Sequence, residues 1–105
     1  MRNCADPKVE IYLNKLREQF GKRLKKVILF GSKARRQDTD ESDYDFVLVF
    51  DKVTPKVKEI LDNLSVAMLL EYGMVITDFP LTEGDLERKK FNPLFINVKR
   101  EGILL

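Results

Sequence analysis

The chain has 105 residues, 44% apolar and 34% charged, with 19 basic against 17 acidic side chains and a net charge of +2. This is enough for one domain with one core, here residues 1–105, and it excludes collagen-like, disordered and membrane classes. With no histidine and one cysteine, Cys4, histidine general-base catalysis, His/Cys zinc sites and an internal disulfide are excluded. No apolar run reaches the roughly 18 to 20 residues of a spanning helix, and residues 1–7 lack the apolar core of a signal peptide, so the expected location is cytoplasmic.

In chain order, Asp6-Pro7 is a helix-start pair, followed by Val9, Tyr12, Leu13, Leu16 and Phe20 at helical spacing and a stop at Gly21. A strand is predicted over about 26–30, a short helix from Ser32 through Arg36, a polar loop over 37–42 and a second strand over 43–50. Thr54-Pro55 opens the best-marked helix, with Val57, Ile60, Leu61, Leu64, Met68 and Leu69 on one stripe and Gly73 at its end. Residues 74–79 read as a third strand, which Pro80 stops or confines to an edge. Thr82 and Asp85 suggest a capping box, and Asn92-Pro93 starts a last helix that turns Leu94, Phe95 and Val98 inward and ends at Gly102. Ile103-Leu104-Leu105 is an apolar tail that needs cover from this chain or from a partner. The expected fold is a small mixed α/β (α+β) sheet of three to four strands with flanking helices, covered mainly on one face.

Basic residues cluster at 15–26 and at 88–100, which reads more simply as solvated helix faces than as a binding patch. The chemistry concentrates between the first two strands. Gly31 after a strand permits a sharp turn that brings backbone N–H groups close to a phosphate, and a helix opening at Ser32 would add its positive end. Asp43 and Asp45, two apart on a strand, leave by the same face, with Tyr44 pointing away. Paired carboxylates suit Mg²⁺, which takes one or two of them and completes its shell with water and substrate phosphates. An isolated Asp-x-Asp is more often a solvated strand end; the strand, turn and helix start before it reverse that reading.

Gly31-Ser32, ten residues, then Asp43-Tyr44-Asp45 resembles the signature of the minimal nucleotidyltransferases of the DNA polymerase beta-like superfamily. Ala34, Arg35 and Ser42 fit the fuller pattern, whereas Arg36 stands where glycine is usual; the segment from Phe95 to Gly102 looks like the family's ending. The resemblance implies a nucleotidyltransferase-like fold and transfer of AMP from ATP to a hydroxyl by means of two Mg²⁺ ions. Asp43 and Asp45 would hold the metals, Gly31 and Ser32 the triphosphate, and Arg35 and Arg36 further phosphate oxygens. The family's third carboxylate, catalytic and metal-holding, is expected at Asp78, the only acid of strand three, which reads equally as a polar residue near a strand end. The implied partner is a HEPN-type helical protein in a toxin–antitoxin pair, in a homo- or hetero-oligomer. A non-catalytic antitoxin and an RNA-end nucleotidyltransferase are the alternatives, although a nucleic-acid partner is disfavoured by the mild net charge.

Overall fold

The computed structural model describes residues 6–31 and 43–105. Cys4, the helix predicted over 32–36 and the loop over 37–42 lie outside the described residues. Helix α1 (Pro7–Phe20) is capped by Asp6, whose carboxylate accepts from the Lys8 N–H at 2.9 Å. A 3₁₀ turn (Gly21–Arg23) leads into strand β1 (Leu24–Phe30), and β2 (Tyr44–Phe50) follows. Helix α2 (Pro55–Tyr72) starts at Thr54, whose Oγ1 accepts from the Val57 N–H at 3.2 Å, and stops at Gly73 in the left-handed conformation.

Strand β3 (Ile76–Thr82) passes directly into α3 (Glu83–Arg88) through a capping box, in which Thr82 and Asp85 each accept the other's backbone N–H at 3.1 Å. Helix α4 (Pro93–Glu101) begins at the Asn92 cap and is followed by the two-residue strand β4 (Ile103–Leu104). The sheet order is β3-β2-β1-β4, with β1 antiparallel to both β2 and β4, and β2 parallel to β3.

Pro80 lies within β3, opposite Leu48, rather than ending it. Because β3 is an edge strand with a partner on one side only, the missing proline N–H breaks no bond on its free side. The apolar tail is covered in part by this chain: Ile103 and Leu104 pair with Leu29 and Ile28, the Leu105 N–H reaches the Val27 carbonyl at 2.9 Å, and Ile103 and Leu105 pack against the larger core while Leu104 stays exposed.

The sheet is covered mainly on one face, as expected, and has a second, smaller core on the other. The larger lies under α1 and α2, where Tyr12, Leu13, Leu16 and Phe20 meet Tyr44, Phe46, Leu48 and Phe50. Phe20 and Phe50 stack edge to face with centroids 4.8 Å apart, a geometry that adds to area burial. The smaller core joins Val47 and Val49, on the other face of β2, to Phe30, Leu81, Phe95 and Val98 of its neighbours. Strand β2 is therefore apolar at every position from 46 to 50, and an acid on it is tolerated only at its open end.

Candidate active site

That open end lies beside the exit of β1. In the antiparallel ladder Phe30 is opposite Asp45, so the residue after β1 meets the start of β2. That residue, Gly31, has φ +78°, a left-handed conformation that side chains other than glycine's adopt at a cost. A Cβ placed there would stand 2.5 Å from Oδ2 of Asp45, closer than two such atoms can approach. Gly31 is thus required twice over, and the space a side chain would fill is taken by a carboxylate.

Strand alternation puts Asp43 and Asp45 on one face, with Asp43 exposed and Asp45 half-buried. Partial burial, and then the negative charge of Asp43, raise the pKa of Asp45 above the ordinary carboxylate value. A carboxylate whose ionisation is opposed by a neighbouring negative charge favours a cation beside it. Among the described residues no group of three or more His, Cys, Asp or Glu side chains is placed to hold a metal. A two-carboxylate set suits Mg²⁺, whose remaining ligands come from water and phosphate, better than a cation that needs a protein cage. Tyr44, between the two acids, points to the α1 side, where its hydroxyl donates to the Asp6 carboxylate and ties the start of α1 to the start of β2. Ser32, Arg35 and Arg36, the other expected phosphate contacts, lie outside the described residues.

The expectation that Asp78 joins Asp43 and Asp45 is corrected by the register. Asp78 is opposite Phe46, and Asp45 is opposite Thr77. Side chains on neighbouring strands in register share a face, so Asp78 turns with Phe46 toward α1 and α2. There Oδ2 accepts from the Tyr12 hydroxyl at 2.5 Å and from Ser65 at 3.4 Å, while Oδ1 is buried without a partner among the described residues. Burial is the main reason its pKa rises to about 6, against the opposing pull of the hydrogen bonds from Tyr12 and Ser65. The same contact, with burial again the larger cause, raises the pKa of Tyr12. The part-buried Asp78 and the buried Tyr12 form a polar pair on the α1 and α2 side of the sheet, where Asp78 and Ser65 also line a cavity of about 510 Å³. Sequence reasoning had no signal for it beyond a tyrosine in an apolar helix stripe.

The basic segments converge away from the acids. Arg17, Lys22, Lys25 and Lys26 line a cavity of about 360 Å³, and Lys26, Lys90 and Lys99 line another of about 330 Å³. Both involve the start of β1, which pairs with the end of β2, whereas Asp43 and Asp45 stand at the opposite end of that strand pair. A nucleic acid lying along these lysines would not present its terminus to the carboxylates by that contact alone.

A strand that exits into a glycine turn against paired acids, on a mixed α/β sheet, is the architecture of a nucleotide-transferring enzyme. The comparisons give the particular family: residues 13–105 match Polymerase beta, Nucleotidyltransferase, and the chain belongs to that nucleotidyltransferase family. It is 39% identical over 98 residues to a Methanocaldococcus jannaschii protein named as a protein adenylyltransferase, MJ0604, covering 92% of this chain and 93% of that one. A second protein of that organism so named, MJ1305, is 33% identical over 91 residues, 83% of this chain and 61% of that relative's length. Among solved structures, a chain of a toxin–antitoxin crystallised with AMP-PNP superposes with a TM-score of 0.59 over 89% of this chain and 68% of its own. At 17% identity that match speaks for the fold alone.

Proposed function

We propose that this nucleotidyltransferase moves AMP from ATP onto a hydroxyl side chain of a partner protein. The observation that carries the reading is the close approach of Gly31 to Asp45, which leaves no room for a side chain between the end of β1 and a carboxylate. In this reading Gly31 and Ser32 hold the β- and γ-phosphates by backbone and hydroxyl donors, and Arg35 and Arg36 add charge to the phosphate oxygens. Asp43 and Asp45 hold two Mg²⁺ ions, whose chemistry is to lower the pKa of the acceptor hydroxyl and to screen the triphosphate. The acceptor oxygen forms a bond to the α-phosphorus, the bond from that phosphorus to the bridging oxygen breaks, pyrophosphate leaves and the hydroxyl proton passes to solvent. The protein's share of the catalysis is to align these atoms and balance their charge.

The acceptor in this reading belongs to a separately encoded helical partner of HEPN type, and the modification silences it as an antitoxin would. The names of the two relatives support a protein acceptor, and the AMP-PNP of the related toxin–antitoxin structure supports a triphosphate donor. A second reading, a non-catalytic antitoxin that binds and occludes its partner, draws on the placement of Asp78 away from the acids. An RNA-end transferase is disfavoured by the position of the lysines.

One experiment separates the three: the protein, α-labelled ATP, Mg²⁺ and the product of the neighbouring gene. Label on the partner protein is expected; label on RNA supports the RNA-end reading, and a stable complex without label supports occlusion. Replacing Asp43 and Asp45 together by alanine is expected to abolish transfer, by roughly 10³-fold or more. Transfer that survives this double substitution would place the chemistry elsewhere.

A further inference from the structure

Strand β3 borders the acids, and its register decides which side chain it contributes. Parallel neighbours stand about 4.8 Å apart and send side chains in register to the same face. Asp45 is opposite Thr77, one residue before Asp78. The two positions therefore have opposite fates, with Thr77 on the face of Asp43 and Asp45 and Asp78 among Tyr12 and Ser65.

We infer that Thr77 is the positioning residue that β3 supplies to the active site, where its hydroxyl orients the oxygen ligands of Mg²⁺ beside Asp45. The inference rests on the proposed metal-nucleotide reading and deepens it. A threonine hydroxyl both donates and accepts but brings no charge. Two acids and a neutral hydroxyl bind a divalent cation more weakly than three acids, because affinity follows the charge of the ligand set. The metal is then held well only when the triphosphate adds its own negative charge, so metal and nucleotide bind as a unit. Thr77 is also compatible with its strand, since a β-branched side chain suits an edge position beside a half-buried neighbour.

The test uses Mn²⁺ as the metal probe, with free ion counted by electron paramagnetic resonance, on the full chain with and without a non-hydrolysable ATP analogue. Wild-type protein is expected to bind Mn²⁺ much more tightly with the analogue than without it. Thr77→Asp is expected to tighten nucleotide-free binding about tenfold, Thr77→Val to weaken binding with the analogue about tenfold, and Thr77→Ser to restore it. Asp78→Asn is expected to leave Mn²⁺ affinity unchanged. Valine and serine are both accommodated in strands, and thermal melts of each variant identify any that fails to fold. Should Asp45→Ala abolish Mn²⁺ binding while the folded Thr77 variants keep the wild-type value, the role of Thr77 falls and the proposed function stands. Should Asp45→Ala bind Mn²⁺ and transfer AMP like wild type, the site reading itself falls.

Discussion

Asp45 and Asp78 occupy adjacent strands of one sheet and differ by one step of register, yet they turn to opposite faces, Asp45 beside Gly31 and Asp78 toward Tyr12 and Ser65. Asp45 is half-buried, sits against Gly31 and has another acid for a neighbour. Asp78 has lost most of its solvent and is held by the Tyr12 hydroxyl. Both have raised pKa values, and burial is the first cause of each, so a raised pKa by itself does not separate a metal ligand from a structural acid. What separates them is the second contributor. For Asp45 it is a like charge, which a cation would relieve; for Asp78 it is a donor hydrogen bond that already stabilises the charge.

The contrast predicts different consequences for damage on each face. The largest effect is expected on the Asp45 side, from Gly31→Ala. The added methyl must displace the Asp45 carboxylate and also bear a left-handed backbone, and a displacement of about 1 Å at a reacting centre costs about 100-fold in rate. The comparison breaks if a labelled-ATP transfer assay finds this variant as active as wild type.

On the other face the readout is stability against pH. The carboxyl of Asp78 has a folded-state pKa of about 6, against 3.8 for an ordinary aspartate. Between these values the folded protein keeps a proton that the unfolded chain has released. Its contribution is therefore fully present below pH 3.8 and is lost as pH rises through about 6. Denaturant titrations of wild type and Asp78→Asn should accordingly diverge. Relative to the variant, wild type loses on the order of 2 kcal/mol between pH 4 and pH 7. A constant difference across that range would mean that Asp78 is not buried as described.

Tyr12→Phe refines the same point with a smaller effect. It removes the better of two donors to Asp78 and leaves Ser65 at 3.4 Å, which is too long to compensate. The expected loss is about 1.5 kcal/mol at pH 7, with the Asp78 titration moved further upward and AMP transfer retained. Loss of transfer in a variant that is still folded would join the two faces that the register separates.

The helices were legible because their punctuation is local. Asp6-Pro7, Thr54-Pro55, Thr82 with Asp85, and Asn92-Pro93 each cap a helix at the predicted place, and the stripe from Val57 to Met68 marks the face that α2 buries. The closeness of the end of β1 to the start of β2, which brings Gly31 beside Asp45, was legible for the same reason, since it needs only that the two strands run antiparallel. The face of Asp78 was not, because a shift of one residue between β2 and β3 reverses it, and nothing near Asp78 in the sequence fixes that shift. Tyr12 and Ser65, which receive Asp78, come from 66 and 13 residues away. Strand β3 also runs from 76 to 82 rather than from 74 to 79, because an edge position accommodates Pro80 and Met74 is drawn into the core at the end of α2.

Gly73 supplies the control for Gly31 and the smallest effect. Its φ is +65°, close to the +78° of Gly31, but a Cβ there would meet nothing within 4 Å. Gly73→Ala therefore isolates the backbone cost of a left-handed residue, about 1 kcal/mol, without any collision. It closes the C-terminus of α2, its N–H bonding to Leu69, two residues before Val75, whose carbonyl accepts the Tyr44 N–H; with nothing for the added methyl to meet, transfer should be unaffected. If Gly31→Ala costs no more stability or activity than Gly73→Ala, the close approach to Asp45 contributes nothing beyond backbone conformation. A much larger loss at Gly31 assigns the excess to the displaced carboxylate.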